Sequence, residues 1–100
     1  ELCNVLDERK KFAISNQLLR SATSIGANVR EAQNAESESD FVHKLKIAAK
    51  EAEETMYWLD LCLYSPTYPN TENEKTELLS IIRIINKIIG TIKTKHQLAN

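Results

Sequence analysis

The chain has 100 residues, with 13 basic against 14 acidic and a formal charge of −1. That is the size of one domain with a single modest core. Two glycines and two prolines are too few for an all-β domain, which needs turn residues every ~8–12 positions. They also exclude a collagen-like or Gly/Pro-rich disordered chain. The near-neutral balance gives no global argument for nucleic acid, which usually leaves a basic footprint.

Residues 1–8 read as a helix end, with Leu2, Val5 and Leu6 on one face and the charged run Asp7 to Lys11 as connector. Ser15 is placed to cap a second helix over residues 15–35, with Ile14 and Leu19 at the spacing of a hydrophobic staple. Its apolar stripe is Leu18, Ala22, Ile25, Val29 and Ala32. Ser37, with Asp40 three residues on, opens a third helix over residues 38–64. Pro66 and Pro69 stop that helix, because proline cannot continue a helix interior. Thr71 and Glu74 form a capping box for a fourth helix over residues 72–96.

Long helices on short connections predict an all-α, antiparallel up-and-down four-helix bundle forming a single domain. The first helix is the misfit. About eight residues cannot line three helices of twenty-odd, so a longer first helix is expected upstream of Glu1, or else a neighbouring chain covers the gap.

Helix four carries seven isoleucines, and with Leu78 they cover about 160° of its surface, where one buried face needs little more than about 100°. The excess lies at Ile84 and Ile88. It fits either a wide core or a subunit interface, and the interface is the preferred reading.

Helices two and three also carry polar stripes: Gln17, Arg20, Ser24, Asn28 and Glu31 on one, and Asp40, Lys44, Ile47, Glu51, Glu54 and Trp58 on the other. Arg20 is suited to pair with Glu51 or Glu54, because its planar fork matches a carboxylate. A semi-buried network that fixes helix register is expected, rather than an acid–base pair, since no nucleophile accompanies the carboxylates. Gly26, among Ser21, Ala22, Ser24 and Ala27, is read as a place where another helix approaches closely.

Asp40 and His43 supply half of a di-iron bundle motif whose second half is missing, so no metal, cofactor or small-molecule substrate is expected. No span or signal peptide is visible, and Cys3 and Cys62 lie outside any CxxC spacing, which predicts a cytoplasmic protein without membrane contact. Two basic clusters stand out: Arg9, Lys10 and Lys11, and then Arg83, Lys87, Lys93 and Lys95 in a stretch without acids. They serve solubility and the helix dipole, or a phosphate-contacting surface that grows when copies assemble.

Residues 17–28, QLLRSATSIGAN, followed by Val29-Arg30-Glu31-Ala32, closely resemble a hallmark segment of the bacterial four-helix bundle proteins known as 23S rRNA intervening-sequence proteins. Residues 40–61, DFVHKLKIAAKEAEETMYWLDL, resemble that family's second hallmark, with its acidic-then-aromatic run ending at Tyr57 and Trp58. The resemblance implies a four-helix bundle whose first helix lies mostly upstream of Glu1, and a ring-like homopentamer. It supplies no catalytic residues. The related accessory variability protein of diversity-generating retroelements implies a pentamer that binds reverse transcriptase and nucleic acid through a strongly basic surface, which a chain of charge −1 does not share. The expected function is therefore a non-enzymatic, self-assembling scaffold or adaptor. The alternative is an RNA-binding protein linked to rRNA intervening sequences or a reverse transcriptase.

Overall fold

The computed structural model describes residues 2–99. Four helices follow in order: α1 Leu2–Glu8, α2 Phe12–Gln33, α3 Glu38–Leu63 and α4 Glu72–Ala99. Successive helices pack against one another, and the α2–α3 contact is the most extensive. Small residues make that close approach possible: Ala32, Ala48 and Ala52 are fully buried, and so is the side chain of Ser21. Leu18 and Ile25 from α2, Leu45 and Leu59 from α3, and Leu78, Ile82 and Ile85 from α4 complete the core.

Two helix starts differ from the expectation. Ser15 caps nothing. The second helix begins three residues earlier, at Phe12, and Lys11 at its N-cap makes no side-chain cap. Lys10 takes a left-handed conformation (φ 62°) in the turn between α1 and α2. Ser15 is instead buried where α1 crosses α2, and its hydroxyl donates to the Cys3 carbonyl at 3.4 Å. Inside the helix, the buried Ser15 hydroxyl finds its partner on the neighbouring helix. The Thr71–Glu74 capping box also gives way. The Asn70 side chain accepts from the Glu72 N–H at 2.8 Å, and the buried Thr71 hydroxyl donates to the Leu59 carbonyl at 2.7 Å, tying the loop to α3. The Ser37 cap forms as expected, accepting from the Asp40 N–H at 3.0 Å.

α1 takes the fourth corner of an up-and-down bundle but fills it for only seven residues. Beyond it the corner is open, and the molecule measures 53 × 22 × 15 Å, flatter than a bundle with four filled corners.

Candidate functional site

The open corner is an apolar groove of about 600 Å³. α2 forms one wall with Ala22, Gly26 and Val29; α4 forms the other with Glu74, Leu78 and Ile81; Thr55 and Leu59 of α3 form the floor. Leu2 and Cys3 close one end. This arrangement corrects the reading of Gly26. No neighbouring side chain lies within 4 Å of where a Cβ would sit on it. The close helix approach expected at Gly26 is not made by any helix of the described residues, because α1 stops short of it. Ala22 is left exposed for the same reason.

The apolar surface continues from this groove around α4. Ile81 is 42 % exposed, Ile84 60 % and Ile88 37 %, while Ile82 and Ile85 are buried. The seven isoleucines therefore divide into a core-facing set and an outer set, and Ile84 and Ile88 fall where the surplus was expected. Along α4, positions 81, 84 and 88 share one flank at three/four spacing.

On the opposite side of α2, the polar stripes of α2 and α3 meet. Arg20 Nη1 lies 3.3 Å from Glu51 Oε2, and its other terminal nitrogen contacts Glu54. Gln17 accepts from Arg20 Nε at 3.4 Å, and Trp58 Nε1 donates to Glu54 at 3.2 Å. Trp58 packs half-buried against the core, with Tyr57 edge-on at 5.1 Å. The remaining members form two smaller groups. Asn28 donates to the Ser24 carbonyl at 2.9 Å, and Glu31 pairs with Lys44 at 3.5 Å. The network is less buried than expected: the Arg20 side chain is 50 % exposed, against 18 % for Glu51. Both carboxylates of the central pair are contacted by Arg20, an arrangement that ties two helices together.

Sequence reading missed the contact beneath this network. The Ser21 and Thr55 hydroxyls hydrogen-bond each other at 2.8 Å in the interior. A hydroxyl on the buried face of α3 is itself the signal that a partner faces it.

The basic clusters stand at opposite ends. Arg9, Lys10 and Lys11 occupy the α1–α2 turn, where Lys11 Nζ sits 4.8 Å over the Tyr68 ring of the α3–α4 loop. Lys93 and Lys95 lie at the far end of α4. Lys95 is 3.4 Å from Glu38 at the start of α3, and His96 contacts the same carboxylate. That partnership, His96 first and Lys95 after it, holds the Glu38 carboxyl below its ordinary value. Within one chain the two clusters do not merge. Arg83 and Lys87 are exposed on the outer side of α4. Lys93 instead lines a shallow concavity with His43 and Lys46 of α3, residues that the sequence reading did not single out as cationic contacts.

Among the described residues no three His, Cys, Asp or Glu side chains are grouped to hold a metal ion, and no helix is long and apolar enough to cross a membrane. Cys62 is buried, and that burial pushes its thiol pKa up.

The sequence model of the 23S rRNA-intervening sequence proteins matches residues 1–91. The chain belongs to that family. It is similar to the crystal structure of a protein of unknown function from the S23 ribosomal protein family of Bacteroides thetaiotaomicron VPI-5482, with 44 % identity and a TM-score of 0.80 over 85 % of this chain and 81 % of that one. No curated protein is significantly similar to the chain. The two segments that carry the resemblance, residues 17–28 and 40–61, fall on α2 and α3 and include Ser21, Arg20, Glu51 and Thr55.

Proposed function

We propose that this member of the 23S rRNA-intervening sequence protein family is a non-enzymatic helical bundle that acts by assembling with copies of itself, as a homopentameric scaffold or adaptor in the cytoplasm. The supporting observation is the apolar flank of α4. Ile84 and Ile88 lie outside the core, 60 % and 37 % exposed, on the flank of α4 that continues from the groove. Covering what remains exposed of each is worth about 0.5–2 kcal/mol, which a small domain gains by association. A ring of five is the order that the family resemblance implies.

Light scattering on the purified chain tests this reading. A pentamer at micromolar concentration, reduced to smaller species by Ile84→Asp with Ile88→Asp, is the expected result. A monomeric parent, or an assembly that the double substitution leaves unchanged, overturns it.

A further inference from the structure

Residues 41–50 of α3 contain His43, Lys44, Lys46 and Lys50 and no acid, and residues 78–99 of α4 contain Arg83, Lys87, Lys93, Lys95 and His96 and no acid. The antiparallel α3–α4 turn lays these two stretches side by side. His43, Lys46 and Lys93 meet around the shallow concavity between them. Lys50 lies one turn along α3 from Lys46 and is exposed. The only acid in the concavity is Glu38, and Lys95 and His96 occupy its carboxylate. Lys46, Lys50 and Lys93 have no ion-pair partner among the described residues, whereas Lys44, on the opposite flank of α3, is paired with Glu31.

We infer that this α3–α4 flank, built on Lys46, Lys50 and Lys93, binds the sugar–phosphate backbone of a nucleic-acid duplex. Several features favour that ligand over others. The concavity is wide and open, and it is not an enclosed cradle for one small anion. The nearby helix start is capped, with the Ser37 hydroxyl accepting from the Asp40 N–H. Free cations strung along two helices suit a repeating line of charges. None of the lining side chains is Phe, Tyr or Trp, so the surface offers phosphate contacts without the aromatic platforms on which unpaired bases stack. The apolar flank of α4 lies on its other side, which separates this surface from the proposed assembly contact and also from the insertion that a lipid surface requires.

Fluorescence anisotropy of a labelled mixed-sequence duplex, titrated with the full chain between about 20 and 200 mM salt, tests the inference. Three lysine–phosphate contacts predict a slope of log K against log salt of about −2.7 per protomer. Lys46→Glu with Lys93→Glu is expected to weaken binding by about tenfold or more, and the milder Lys46→Gln with Lys93→Gln by less, in the same direction. Arg9→Glu with Lys10→Glu changes the net charge equally at the far end and is expected to leave affinity within about twofold. Circular dichroism establishes that each variant keeps its helices. The inference is overturned by no duplex binding at the lowest salt, or by far-end and flank variants that weaken binding equally. Capture by phosphatidylserine vesicles without duplex binding overturns it as well.

Discussion

The hydroxyls of Ser21 and Thr55 meet 2.8 Å apart at the buried seam between α2 and α3. Thr55 Oγ1 also lies 2.8 Å from the Glu51 carbonyl one turn back. A hydroxyl has one proton to give, so with the Thr55 proton on that carbonyl, Ser21 donates to Thr55. Every donor is then used, and a polar pair sits in the core at little cost. Removing one member strands the other. Thr55→Val is therefore expected to destabilise by about 1–3 kcal/mol, and Ser21→Ala with Thr55→Val by less than the sum of the single changes. Urea unfolding of the four proteins of the cycle measures the coupling, and strict additivity would show that the two hydroxyls act independently.

Arg20 lies above that seam, half in water, and bridges Glu51 and Glu54. An exposed pair contributes little, but Glu51 is mostly covered and would lose its counter-charge. Arg20→Ala is expected to cost about 1–2 kcal/mol, between the surface and buried limits. Arg20→Lys should recover only part of this, because an ammonium cannot span two carboxylates as the guanidinium fork does. Chemical unfolding measures both; a loss above about 3 kcal/mol would place the bridge in the interior.

Gly26 faces open space in mid-helix. Gly26→Ala adds a methyl group that meets nothing and removes the conformational freedom of the unfolded glycine. It is expected to stabilise the chain by about 0.5–1 kcal/mol, raising the thermal midpoint. A fall in stability would mean that another helix does close on this position in solution.

Glu38 joins the start of α3 to the end of α4 through His96 and Lys95. Its carboxyl is held below 4.5, so the folded state binds this proton less readily than the unfolded state does. The sign follows from linkage: the contribution is present above 4.5 and is lost as pH falls through the lowered folded value. The stability difference between the parent and Glu38→Gln is expected to shrink toward zero on acidification. A carbon NMR titration of the carboxyl should find its midpoint below 4.5. A midpoint above that value would show that the clasp does not form.

Helix content, the long break at Pro66 and Pro69, the Ser37 cap and the Arg20 pairing with Glu51 and Glu54 were all legible in the sequence. Each depends on residues a few positions apart or on one helix face, so periodicity and local chemistry determine it. Tertiary placement alone decided the rest. Ser15 looked like a cap, yet it is buried beside Cys3 because α1 folds back across it. Gly26 looked like a close contact, yet it faces the groove because α1 ends short of it. Nothing in the sequence sets Lys46 and Lys50 apart from other surface lysines. They became part of a cationic flank only when the antiparallel turn set them beside Lys93. The composition of 13 basic and 14 acidic residues gave no global argument for such a surface. A net charge sums the whole chain, whereas a ligand meets one flank, and the fold decides which charges share it.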